Sequence, residues 1–171
     1  SKVRVGAPAM DLDCGPVMNP AQLQRVSRYI QAAKASGIAV LAEGTIDLGC
    51  NNGGYFVKPT LFGGVPRDHA LACEEVFGPV LAAMPFEDEA DAIRLANGTD
   101  YGLSSGVFTR DISRAHRMVE RLRAGLVHVN TYGGADNTVP LGGVGQSGNG
   151  HDKSPHGMDK FRNLKTAWIQ L

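Results

Sequence analysis

What most constrains this chain is the alternation of strand-length apolar runs with amphipathic stretches, each change of period marked by glycine, proline or a capping residue. Asn19 and Pro20 supply an N-cap and a first-turn proline. Leu23, Val26, Ile30 and Ala33 then recur at helical spacing, and Gly37 closes the segment. Residues 38–42 are an apolar run of strand length that Glu43-Gly44 ends, so a helix followed by a buried strand is predicted. In residues 55–62, Pro59 confines any strand to an edge or an end. Residues 80–84 predict a second buried strand, and 87–97 a helix with Ala90, Ile93 and Ala96 on one face and Gly98 as its stop. A strand over 103–108 leads to Asp111, which caps a helix with Ile112, Ala115, Met118, Val119 and Leu122 inward. Gly125 stops that helix, and 126–129 is a strand again, completing a βαβ unit. Such alternation predicts an α/β fold: an open, largely parallel sheet with helices on both faces.

The two ends read differently. Residues 1–20 are punctuated by glycine and proline and predict irregular structure. Many of the chain's 22 glycines fall between Gly125 and Gly157, in a chain whose glycine content is well above the average of about 7%. That clustering predicts a loop with close backbone approaches. A short helix over 155–161 and a strand over 165–171 close the chain.

Charge and cysteine usage exclude several function classes. Lysine plus arginine, 17, equals aspartate plus glutamate, 17, so no net field favours nucleic acid or an anionic membrane. No apolar stretch approaches the ~20 residues of a membrane helix, and SKVRVGAPAM lacks the hydrophobic core of a signal peptide. A cytoplasmic protein with no nucleic-acid or membrane partner is expected. Cys14, Cys50 and Cys73 are odd in number and form no CxxC pair, so they are expected as reduced thiols without a metal.

Four motifs invite chemical readings. Gly143-Val-Gly-Gln-Ser-Gly148 matches GxGxxG, yet no strand directly precedes it and no apolar-periodic helix follows, so a glycine-rich loop is preferred to a dinucleotide loop. His69 with Cys73, and His151 with Asp152 and His156, lack a defined third and fourth ligand, and local hydrogen bonding is the preferred reading of both sets. The segment Glu74-Glu-Val-Phe-Gly-Pro79 differs from these: two adjacent acids precede a large aromatic and a rigid turn. A carboxylate there suits ribose hydroxyls and the phenyl ring suits a flat heterocycle; the competing reading is a strand-entry turn with two solvated acids and a core phenylalanine.

The residues from 74 to 80 also resemble the EExFGPV signature of the aldehyde dehydrogenase superfamily, and the rest of the chain follows that family in order. Gly54-Tyr-Phe-Val-Lys-Pro-Thr60 resembles GYFxxPT, and Ala96-Asn97 with Tyr101-Gly-Leu103 resembles AN and YGL. Ala124-Gly125 through Asn130 resembles AGxVxVN, Pro140-Leu-Gly-Gly143 resembles PFGG, and Gln146-Ser-Gly148 with Gly150 resembles KxSGxGR. The resemblance implies an NAD(P)+-dependent oxidation of a small aldehyde to its carboxylate, by a cysteine thiolate, hydride transfer and a glutamate-activated water. It implies that Glu75 contacts the nicotinamide ribose and that Phe77 packs near the nicotinamide ring. Leu141 stands where the family often has a pocket-lining phenylalanine, and Ala135 lies on the same substrate-side loop. His151 stands where the family usually has arginine.

In the family's order, the GQxC-type nucleophile segment and the catalytic glutamate fall before Ser1. None of the three cysteines is expected to be the nucleophile, no catalytic residue is assigned within the chain, and the 171 residues alone are expected to be inactive. Residues 1–163 would be part of the catalytic domain, and 164–171 a terminal strand joining a homo-oligomer. The segments 146–154, 160–161 and 164–169 look most like γ-glutamyl-γ-aminobutyraldehyde dehydrogenases, with betaine-aldehyde-type enzymes open. The competing expectation is a non-catalytic module that self-associates or binds a partner through the edge of residues 165–171.

Overall fold

The computed structural model describes residues 2–47, 53–134 and 136–171, in two compact units, 1–87 and 88–171. Cys50 and Ala135, both singled out from the sequence, lie outside the described residues.

In the first unit, β1 (Arg4–Val5) leads to α1 (Pro20–Ala35), which begins as the sequence dictates. The Asn19 side chain accepts from the Gln22 amide at 2.8 Å, and Pro20 occupies a position whose N–H a helix does not need. Gly37 closes the helix at φ 74°, a region that disfavours any side chain. β2 (Ala39–Glu43), β3 (Thr45–Ile46) and β4 (Thr60–Gly63) follow, then α2 (Ala70–Cys73) and β5 (Val80–Ala83). β4 is central in a three-stranded sheet, antiparallel to β2 and parallel to β5, while β1 and β3 pair in parallel. Pro59 sits immediately before β4, where its missing N–H breaks no rung of the ladder.

One face of this sheet meets α1. Val26 and Ala33 pack with Ile38, Val57, Phe62, Val65, Leu71 and Val76, and Phe62 is completely buried, contributing roughly 3 kcal/mol. The strand after α1 is not buried as expected. β2 is hydrogen-bonded on one side only, and Val40 and Leu41 are exposed. Leu81 of β5, on the face opposite the core, is likewise exposed, so the expectation of two fully buried strands is corrected.

In the second unit, α3 (Glu89–Ala96), β6 (Ser104–Val107), α4 (Ile112–Arg121) and β7 (Leu126–Val129) include the predicted βαβ unit, with Ser104 to Val107 parallel to Leu126 to Val129. Asp111 caps α4 by accepting from the amides of Ser113 and Arg114. Met118 and Leu122 join Val107 in the core, with Ile93 and Val127 against them, and Ala115 is buried too. Ile112 and Val119, expected inward, are exposed: the buried face runs 115, 118, 122, and position 119 lies about 100° round the helix from 118. In α3, Ala90 and Ala96 also face solvent, and Ile93 supplies the contact with the core. Asn97 ends that helix; its amide donates to the Arg121 carbonyl and its oxygen accepts from the Arg123 amide, both at 2.8 Å.

β8 (Leu141–Gly142) and β9 (His151–Asp152) form a short antiparallel pair, and a 3₁₀ turn over Pro155–Phe161 occupies the residues of the predicted short helix. The glycine cluster makes the close approaches expected of it: a Cβ on Gly125 would lie 1.9 Å from the Gly142 oxygen. Residues 163–171 pair with none of the described residues, and Leu164, Trp168, Ile169 and Leu171 are exposed, so the strand expected over 165–171 is not formed among the described residues. A strand exists only with a partner for its ladder. The α/β architecture holds, with open sheets whose pairings are parallel in three cases and antiparallel in two among the described residues.

Candidate functional site

The chain leaves α2 with Glu74 in extended conformation, at φ −115° and ψ 150°. Successive side chains of an extended chain point to opposite sides. Glu74 turns toward α1, Glu75 is exposed, Val76 is buried in the core, and Phe77 is exposed. The Phe77 ring is 70% exposed, against the competing expectation of a core phenylalanine, and its backbone stands at φ 57°, uncommon for a bulky residue.

One face of α1 holds this segment. Gln22, Arg25, Val26 and Tyr29 share it, at the 3- and 4-residue spacing that aligns helix neighbours. The Gln22 amide donates to the Phe77 carbonyl and, at 3.4 Å, to that of Val76. The Arg25 guanidinium donates to the carbonyls of Glu75 and Val76 and lies 5.3 Å from the centre of the Tyr29 ring. The Tyr29 hydroxyl donates to the Glu74 carboxylate. This hydrogen bond, before burial, holds the phenol above its ordinary pKa, with Arg25 opposing it. Gly78 fits against Val26, where a Cβ would come within 2.4 Å of the valine Cγ2. The Glu75 carboxylate makes no hydrogen bond or ion pair among the described residues. Backbone anchored and side chains free, Glu75 and Phe77 together offer a carboxylate for a diol and a ring for a flat heterocycle. Neither Gln22 nor Arg25 carries a motif, and sequence reasoning missed both; their spacing on the helix face was the available signal.

The second unit holds the substrate-side candidate. Leu141 is half-buried in β8, opposite Asp152, and beside it an open concavity of about 420 Å³ is lined by Pro140, Asn149, Gly150, His151, His156 and Lys160, with Asp159. A second concavity, of about 510 Å³, lies at the carboxyl ends of the parallel strands β6 and β7, lined by Phe108, Thr109, Arg110 and Asn130. That is where open α/β sheets hold ligands. Asn130 shapes it at φ 56°, accepting from the Thr109 amide at 2.8 Å.

The weaker motifs resolve into local structure. His69 caps α2, its Nδ1 accepting from the Leu71 amide, and the Cys73 thiol donates to the Arg67 carbonyl. His151 bonds the Asn149 carbonyl, His156 contacts Asp159, and Asp152 pairs with Lys160. No group of three metal-ligating side chains occurs among the described residues. The glycines of the GxGxxG stretch enclose a three-residue 3₁₀ turn rather than open a helix, and Gly145 lies where a Cβ would meet the Asp100 carbonyl at 2.3 Å. No described helix is long and apolar enough to cross a membrane.

Known proteins resemble the chain over most of its length. Betaine aldehyde dehydrogenase of Rhizobium etli is 43% identical over 157 residues, 92% of this chain and 32% of the relative. Among solved structures, a putative aldehyde dehydrogenase from Burkholderia cenocepacia superposes with a TM-score of 0.92 at 47% identity, over 96% of this chain and 35% of that one. Indole-3-acetaldehyde dehydrogenase of P. syringae, solved with NAD+, superposes with a TM-score of 0.85 at 44% identity, over 91% of this chain and 31% of that one. The chain thus spans about a third of the length of the curated relatives it matches. These likenesses support the superfamily without singling out the γ-glutamyl-γ-aminobutyraldehyde group. Since the aldehyde dehydrogenase family model matches residues 1–167, the chain belongs to the aldehyde dehydrogenase family.

Proposed function

We propose that this chain supplies the nicotinamide-side wall and part of the substrate channel of an NAD(P)+-dependent aldehyde dehydrogenase, an enzyme that oxidises an aldehyde to its carboxylate. The observation that carries this reading is the alternation along 74–77, which leaves the Glu75 carboxylate and the Phe77 ring outward on an anchored backbone. When bound, the cofactor accepts hydride. Glu75 accepts hydrogen bonds from the ribose hydroxyls, and Phe77 limits the positions open to the nicotinamide ring. A relative solved with NAD+ supports that choice of cofactor.

Leu141 lines the aldehyde side, and Ala135 is assigned to it from the sequence alone; a leucine admits longer or bulkier aldehydes than an aromatic ring would. The specific substrate we infer from the tail of the sequence is a γ-glutamylamino- or aminobutyraldehyde, and betaine aldehyde is the alternative that the 43% identical relative supports. Cys14 and Cys73 are not the nucleophile in this reading. Cys14 is half-buried in a bridge with Val5, and the Cys73 thiol is engaged with the Arg67 carbonyl. Residues 164–171, exposed and carrying Leu164, Trp168, Ile169 and Leu171, join a sheet of another copy in a homo-oligomer.

The test is NAD(P)+ titration and steady-state kinetics of the intact protein carrying Glu75→Gln or Phe77→Ala. Loss of a hydrogen bond to a charged group predicts roughly tenfold weaker cofactor binding for Glu75→Gln. Cofactor affinity within twofold of the parent for both variants would overturn the reading. A panel containing γ-glutamylaminobutyraldehyde and betaine aldehyde decides the substrate by kcat/KM.

A further inference from the structure

The two adjacent acids have different surroundings. Glu74 and Glu75 both lie on the surface, yet only Glu74 reaches a partner: its carboxylate accepts the Tyr29 hydroxyl, and Tyr29 in turn stands 3.4 Å from an Arg25 nitrogen that also holds the Glu75 carbonyl. Because Glu74 is extended, its side chain and that of the next residue point to opposite sides, so fixing Glu74 on the helix side turns Glu75 away from it. The next inward residue, Val76, is anchored by packing, and Phe77 by the Gln22 amide. The Tyr29 to Glu74 hydrogen bond is therefore the side-chain fastening immediately before Glu75, whose own carbonyl is held by Arg25.

We propose that Tyr29 is a positioning residue, which by holding Glu74 against α1 keeps the neighbouring Glu75 carboxylate aimed outward for cofactor binding. The inference rests on the reading that Glu75 contacts the cofactor ribose. The pair divides the work: Glu74 is a latch and Glu75 the ligand-facing group. Tyr29 contacts neither cofactor nor substrate in this scheme. A hydroxyl donor requires only an oxygen acceptor, so an amide at position 74 keeps the latch closed, whereas a methyl opens it.

The experiment compares the intact protein with Tyr29→Phe, Glu74→Ala, Glu74→Gln and Glu75→Gln, measuring NAD+ dissociation constants, amide hydrogen exchange over residues 74–78 and the melting temperature. Tyr29→Phe and Glu74→Ala are expected to weaken NAD+ binding about fivefold and speed exchange over 74–78, with the melting temperature shifted by no more than a few degrees. Glu74→Gln is expected to bind within twofold of the parent, a rescue that bulk destabilisation would not produce. If Glu75→Gln weakens binding while Tyr29→Phe and Glu74→Ala do not, the latch is refuted and the cofactor reading stands. Unchanged binding in Glu75→Gln overturns the cofactor reading instead; exchange over 74–78 then decides the latch, faster exchange in Tyr29→Phe supporting it and unaltered exchange refuting it.

Discussion

Gly125→Ala provides a severe test of how the glycines of the second unit act. The residue lies just before β7, its amide donating to the Gly102 carbonyl at 3.0 Å. An added Cβ would meet the Gly142 oxygen at 1.9 Å, the Gly142 carbonyl carbon at 2.7 Å and the Gly143 Cα at 3.0 Å. The shortest of these is 1.1 Å inside the 3.0 Å that Cβ contacts essentially never breach, and all three neighbours are backbone, which cannot rotate away. Either β7 or the β8 segment must move, and β8 has only two residues in its ladder to resist. Overpacking of this kind costs about 2–3 kcal/mol. Gly15→Ala is the internal control: nothing lies within 4 Å of its Cβ, and its φ is ordinary, so the change should be neutral or stabilise by up to about 1 kcal/mol through the unfolded chain. Urea unfolding followed by circular dichroism measures both. Equal midpoints for the two variants would refute the claim that Gly125 is required by close backbone approach.

Asp111→Ala removes an oxygen that accepts from two α4 amides and should destabilise the second unit by about 1 kcal/mol in the same assay, while Asp111→Asn should recover most of it. Glu89 is held at about 2 instead of 4.5, first by its hydrogen bonds with Arg117 and then by Arg114. A carboxylate with a lowered folded pKa stabilises above 4.5 and loses that contribution as pH falls toward about 2; melting temperatures taken across this window should fall more steeply for the parent than for Glu89→Gln. Leu141→Phe in the intact protein should lower kcat/KM for long or bulky aldehydes by roughly tenfold relative to short ones, and an unchanged ranking across an aldehyde series would sink the pocket assignment. The 171 residues alone should show no aldehyde-dependent NADH formation by absorbance; a rate that survives removal of co-purifying enzymes would contradict this.

Wherever local chemistry decides the backbone, the sequence was a good guide. Asn19 with Pro20, and Asp111 ahead of Ile112, each placed a helix start to the residue, because a side-chain oxygen satisfying free amides is a local event. The βαβ unit was legible for the same reason. Burial was less so: Leu41 and Leu81 look like core residues in one dimension, but their exposure depends on what covers the sheet face to which they point. The two-residue strands β1 and β3 are too short to show a period, and the fate of residues 165–171 depends on a ladder partner that no pattern within the segment names.

At the candidate site, composition showed which residue types were available and backbone conformation decided their roles. As residue types, two adjacent glutamates carry no label saying which one turns outward; the extended geometry of Glu74 assigns opposite sides to them, and Tyr29, 45 positions earlier, selects the side. Phe77 makes the same point through strain. A bulky residue at φ 57° is held at a cost of about 1–2 kcal/mol, and it persists because its carbonyl is tied to Gln22, Val76 before it is buried, and Gly78 after it admits no side chain against Val26. Relaxing Phe77 to an ordinary φ would redirect the chain between two fixed neighbours. The outward ring is therefore enforced by its surroundings.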